Sequence, residues 1–106
     1  MEILMNEYYV YVYLDPRKEQ YITESGLIFE HEPFYIGKGK GKRAWKHLEP
    51  KHRTNNSLKR NKLQRILDDG YVPKIMFFKE NLAEKDAMES EKLLITEIAI
   101  SKENLE

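Results

Sequence analysis

Apolar positions alternate with period two from Tyr8 to Leu14, with Tyr9, Tyr11 and Tyr13 on one side and Val10, Val12 and Leu14 on the other. Every residue there is aromatic, β-branched or leucine, which predicts a strand. Asp15-Pro16 stops it, because proline lacks a ladder donor and aspartate favours a turn. Residues 17–32 make a long connection for so small a chain. Gln20–Thr23 and Leu27–Phe29 are strand-like around a Ser25-Gly26 turn, which predicts an irregular hairpin extending the sheet; a mobile loop is the alternative. Pro33–Gly37 reads as a second main strand, with Phe34 and Ile36 facing one way and Tyr35 the other. A glycine–lysine loop is expected next, then a helix over 42–49 closed by Pro50.

Asn55 or Asn56 can cap a second helix running to Asp69, with Leu58, Leu63, Ile66 and Leu67 as its apolar stripe. Gly70 suits the left-handed position after that helix. Lys74–Lys79 is a third strand, with Ile75 and Phe77 opposite Met76 and Phe78. Asn81 with Glu84 forms a capping-box pattern for a last helix that ends near Ile100. The expected fold class is α+β: a small three-stranded, mostly antiparallel sheet flanked by about three helices.

At 106 residues the chain is one domain, or a fragment of one. It has no cysteine, which excludes disulfides and thiolate metal sites and agrees with a reducing compartment. The apolar run near Met1 is too short for a signal or a membrane span, so a soluble cytoplasmic protein is expected.

The chain carries no net charge, yet its charges are segregated. Residues 37–65 hold 11 basic and 1 acidic side chains, a net of +10, between flanks of −5 each. Such a block is either a solvated helical face or a nucleic-acid contact, and the interleaved glycines favour the second. The glycine–lysine run fits neither common nucleotide motif, because Lys42 stands where a P-loop or a dinucleotide fingerprint needs glycine.

Two further features carry chemistry. Glu91 falls inside the apolar stripe Ala87, Met88, Leu94, Ile95 and Ile98 of the last helix. A carboxylate there must reach solvent at the stripe's edge, pair with a base, or hold a hard cation such as Mg²⁺. Glu89 and Glu97 belong to the solvated side. On the first helix, Arg43 and His47 share a face, with Ala44, Trp45 and Leu48 turned inward. Arg43 directly follows the glycine run and either meets a phosphate there or is an ordinary surface arginine. His47 and His52 alone are too few for a zinc site.

Tyr9-Val10-Tyr11 and Tyr35-Ile36-Gly37, then Arg43 and His47, then Glu91 followed by Ile95, resemble the GIY-YIG nuclease family in motif order. The first triplet departs from the family name at Tyr9 and Val10 and keeps its tyrosine, while the second is intact. The run from Phe34 to Arg43 looks most like phage and bacterial members and the LEM-domain-associated nucleases. The resemblance spans roughly residues 8–100, with a longer interval from Tyr11 to Tyr35 than compact members have. The family also places an asparagine after the last helix. Asn104 is the one candidate and lacks the expected glycine-rich setting, so a truncated C-terminus is expected and Asn104 receives no role.

The resemblance implies a metal-dependent DNA endonuclease. Glu91 would hold one Mg²⁺ or Mn²⁺, Arg43 would bind the scissile phosphate, and His47 would complete the catalytic set. Tyr11 would orient or deprotonate the attacking water, with Tyr35 bonded to the phosphate or the water network. The nearby lysines and Arg43 would favour the Tyr11 phenolate. Lys38, Lys40, Lys42, Lys46 and Lys59 would track the DNA backbone, each neutralised phosphate adding about 0.9 to the salt slope. Tyr11, Tyr35, Arg43 and Glu91 are expected to converge on one basic concavity. A homodimer or successive nicks would be needed for a double-strand cut. The alternative is a nucleic-acid-binding module on the same fold with little or no cleavage.

Overall fold

A computed structural model of the chain describes residues 6–46, 48 and 57–103, with only the backbone at 57–60 and 103. β1 (Tyr8–Asp15) is the central strand of a three-stranded antiparallel sheet, between β4 (Glu32–Lys40) and β5 (Lys74–Leu82). The remaining elements are the short strands β2 (Tyr21–Ile22) and β3 (Ile28–Phe29) and the helices α1 (Arg43–Lys46), α2 (Ser57–Asp68) and α3 (Glu84–Glu103). The expected α+β class holds. Among the described residues no helix is long and apolar enough to cross a membrane.

β1 is central because both of its faces are apolar and must be covered. Val10, Val12 and Leu14 form one core with Ala87, Leu94 and Ile98 of α3, joined by Ile36, Met76 and Phe78. Tyr9, Tyr11 and Tyr13 form the other with Ala44, joined by Phe34, Tyr35, Leu48, Ile75 and Phe77. The second core is largely aromatic. Tyr9 meets Phe77 edge-on with ring centres 4.9 Å apart, and such a pair adds roughly 0.5–1.5 kcal/mol beyond its burial.

Residues 17–32 form a β2–β3 hairpin, but as a separate two-stranded sheet rather than an extension of the main one. It docks on α3. The Thr23 hydroxyl donates to Glu97 at 2.8 Å, and the Glu24 amide donates to the Ser101 hydroxyl at 2.8 Å. Glu97 is therefore half-buried and engaged, not on the solvated side. Gly70 closes α2 as expected. Its φ is +86°, the Tyr71 amide returns to the Ile66 carbonyl, and the Gly70 amide returns to the Leu67 carbonyl.

Three local expectations are corrected. β4 continues through Lys40, so the glycine–lysine run is strand, with Gly37 opposite Tyr11 and Gly39 opposite Tyr9. A register shift at the start of β4 pairs Tyr13 with Tyr35 and Leu14 with Pro33, leaving Phe34 as the extra residue. Phe34 thus packs with the tyrosines rather than with Ile36. Asn81 does not cap α3. It lies in β5 with φ +58°, and α3's first amide bond runs from Ala87 back to the Ala83 carbonyl. The expected caps Asn55 and Asn56 and the stop at Pro50 lie outside the described residues.

A buried carboxylate ties α2 to the far end of β1. Asp15 is fully buried and takes a two-pronged contact from Arg17, with Lys62 at 3.2 Å. Arg17 also bonds Asp69 at 2.7 Å. The Arg17 hydrogen bonds hold the Asp15 carboxyl well below the usual carboxylate range against burial, and Lys62 adds to them. Asp15→Ala is expected to lower the unfolding free energy at neutral pH by about 2–3 kcal/mol, below the full range for a buried pair because Arg17 and Lys62 reach solvent. Asp15's contribution is complete above the unfolded carboxyl pKa of about 3.9 and is lost as pH falls through its lower folded value. In urea melts the gap between wild type and variant therefore closes in strong acid.

Candidate functional site

The basic residues collect at the free edge of β4. Tyr8, Lys38, Gly39, Lys40, Lys42, Arg43 and Lys46 line an open recess of about 400 Å³. The strand pleat sends alternate residues to opposite faces. Lys38 and Lys40 lean over the Tyr8 ring on the α3 side, where Lys38 stands 3.7 Å from Glu84. Gly37 and Gly39 face the tyrosine side. Lys42, Arg43 and Lys46 come from the turn and helix beyond. The recess therefore straddles the sheet edge.

Both glycines make room. A Cβ at Gly37 would stand 2.5 Å from the Tyr11 ring and hydroxyl, and one at Gly39 would stand 2.6 Å from the Arg43 side chain. Tyr11 is buried beneath Gly37 with its ring centre 6.0 Å from that of half-buried Tyr35, to which it hydrogen-bonds. Burial first, then Tyr35, raises the Tyr11 hydroxyl far above the ordinary tyrosine range, and Arg43 opposes this only weakly. Tyr13 is raised by burial and by Tyr35 and Tyr9. The expectation that neighbouring cations favour a Tyr11 phenolate is corrected, because loss of solvent outweighs them.

Arg43 starts α1 and is exposed. Among the described residues its guanidinium has no carboxylate partner or hydrogen bond. Trp45, expected to point inward, remains 45% exposed while resting on Phe77 with ring centres 5.5 Å apart. Glu91 is half-buried on α3, the helix that covers the valine face, and among the described residues it has no hydrogen bond or ion pair to Tyr11, Tyr35 or Arg43. The apolar stripe of α3 is narrower than its periodicity suggested. Ala87, Leu94 and Ile98 are buried while Met88 and Ile95 are exposed, so Glu91 sits at the edge and not in the middle. Of the expected group, Tyr11 meets Tyr35, and Arg43 shares its recess with four lysines, while Tyr35 also lines a recess of about 340 Å³ with Ile95 of α3, four residues beyond Glu91. His47 and the Lys59 side chain lie outside the described residues.

The residues that sequence reasoning missed are Tyr9 and Tyr13, whose hydroxyls bond to the backbone of the Arg43 turn. Their signal was present: a buried tyrosine hydroxyl needs a partner, and three tyrosines share one face of β1.

Residues 8–106 match a family model described as LEM-3-like GIY-YIG domain. No curated protein and no solved structure gives a match.

Two outcomes are expected from this geometry. Gly37→Ala should destabilise the fold by about 1–3 kcal/mol through overpacking, with a changed near-ultraviolet tyrosine signal; pairing it with Tyr11→Leu should recover part of the loss. Alkaline titration followed at 295 nm should show Tyr11 and Tyr13 still protonated beyond about pH 10, where free tyrosine ionises. Their phenolates should appear only with alkaline unfolding.

Proposed function

The chain belongs to the LEM-3-like GIY-YIG family, a branch of the GIY-YIG nucleases, and we propose that it is a metal-dependent endonuclease that hydrolyses DNA phosphodiester bonds. The observation that carries this reading is the edge recess, where Arg43, with no carboxylate or hydrogen-bond partner among the described residues, stands among Lys38, Lys40, Lys42 and Lys46. Such a cluster in a chain with no net charge suits a polyanionic backbone.

Arg43 supplies a planar fork of donors that matches phosphoryl oxygens and stabilises charge developing on them. The lysines hold the flanking phosphates as point charges. Tyr11 works as a protonated hydroxyl, since its environment resists ionisation. It orients Tyr35, whose half-buried ring reaches the surface to meet the attacking water or a phosphoryl oxygen.

Glu91 fits the role of metal holder in its chemistry. It is a partly solvated carboxylate with no hydrogen-bond or ion-pair partner among the described residues. It would hold Mg²⁺ or Mn²⁺ with water and phosphate completing the shell. When bound, that ion supplies Lewis-acid stabilisation of the phosphate and the leaving 3′ oxygen. The lack of cysteine suits a cytoplasmic setting, and one site per chain implies a dimer or successive nicks for a double-strand cut. One observation favours a second reading, a DNA-binding module without cleavage: Glu91 lies on the helix over the opposite face from the tyrosines.

Supercoiled plasmid distinguishes the two. Wild type should nick it with Mg²⁺ or Mn²⁺ and not with EDTA. Arg43→Ala and Glu91→Ala should each lower the rate by about 100-fold or more. Salt-sensitive binding without nicking, even in Mn²⁺, would leave only the binding module. No binding at low salt would remove both readings.

A further inference from the structure

Arg43 is carried by a helix that cannot hold itself. α1 is a single turn of four residues, and an isolated turn fixes more backbone than its hydrogen bonds repay. Its N-cap position is Lys42, whose ammonium has no acceptor for the free amides of the first turn, and that turn contains no acid. The chain enters it through Gly41 at φ +59°.

The missing cap comes from β1. The Tyr9 hydroxyl accepts the Ala44 amide at 3.0 Å and donates to the Gly41 carbonyl at 2.7 Å. It thus closes the turn on both sides of Arg43, doing from a distant strand what a serine or aspartate at position 42 would do locally. The Tyr13 hydroxyl donates to the Ala44 carbonyl. Both rings are buried, and Tyr9 is wedged against Phe77 and Tyr11, so neither hydroxyl can follow a wandering turn. The root of the Arg43 side chain lies in the space left by Gly39.

We infer that Tyr9 and Tyr13 are positioning residues for Arg43, aiming its guanidinium into the basic recess by fixing the backbone of residues 41–44 from the central strand. This rests on the reading of Arg43 as the phosphate-binding group. It also gives a purpose to Tyr9, which stands where the family name has glycine.

Tyr9→Phe keeps the ring and removes the hydroxyl. Hydrogen exchange of the Ala44 amide in the free protein should accelerate about tenfold or more, while the Ala87 amide in α3 serves as an unchanged reference. In plasmid nicking, kcat should fall about tenfold with little change in KM. The same substitution in an Arg43→Ala background should cause no further loss, because Tyr9 acts through Arg43. Tyr13→Phe should show the same non-additivity, and it decides the matter if Tyr9→Phe loosens the whole fold and Ala87 with it. Unchanged Ala44 exchange, or equal losses with and without Arg43, overturns the proposal. Absence of nicking by wild type strikes the nuclease reading instead, and the exchange comparison then judges the positioning claim by itself.

Discussion

The site depends on a close approach between β1 and β4. Tyr11 occupies the space where a side chain at position 37 would stand, and Arg43 does the same at position 39. The glycines on the tyrosine side and the lysines on the other belong to one strand with a strict two-residue alternation. That alternation lets a single edge strand be bare on the face that receives an aromatic ring and charged on the face that meets solvent. Any side chain at 37 would push Tyr11 out of its hydrogen bond with Tyr35.

Two arginines show how the same fold treats charge in opposite ways. Arg17 is spent on structure: Asp15 and Asp69 take up its guanidinium, and the buried cluster fastens α2 to the end of β1. Arg43 begins a one-turn helix at the other end of β1 and has no carboxylate neighbour among the described residues. Its surroundings are lysines, a like-charged arrangement that folding alone does not favour. Lys38 and Lys40 have only distant acids, Glu84 at 3.7 Å and Glu7 at 3.9 Å, while Lys42, Arg43 and Lys46 have no carboxylate partner among the described residues; such an excess of positive charge on a strand edge suits a polyanion.

The two-faced pattern of β1 was legible because its period is unbroken, and that pattern alone assigns tyrosines and valines to separate cores. Gly70 was legible because a glycine after an apolar helical stripe has few other uses. The glycine–lysine run reads as a loop in the sequence because glycine is locally unfavourable in strands. What makes it strand is non-local: Tyr11 and Arg43 need the vacated space. The places of Phe34 and Asn81 are hidden for a related reason, since a bulge changes face without any mark in a short sequence window. Asp15 looked like a turn former, and its partner Lys62 comes from a helix 47 residues on. Glu91 was legible as an acid within an apolar stripe. Its place at the edge is one of three readings the sequence leaves open, because the stripe's width depends on how α3 lies across the sheet.

The most direct test of the basic recess as the nucleic-acid site is an NMR titration of isotope-labelled protein with a short DNA duplex at low salt. Shifts should concentrate at residues 38–46, including the Arg43 side chain, and fade as salt is raised. Shifts confined to the β2–β3 hairpin and the outer face of α3, with 38–46 unmoved, would contradict the assignment of the recess.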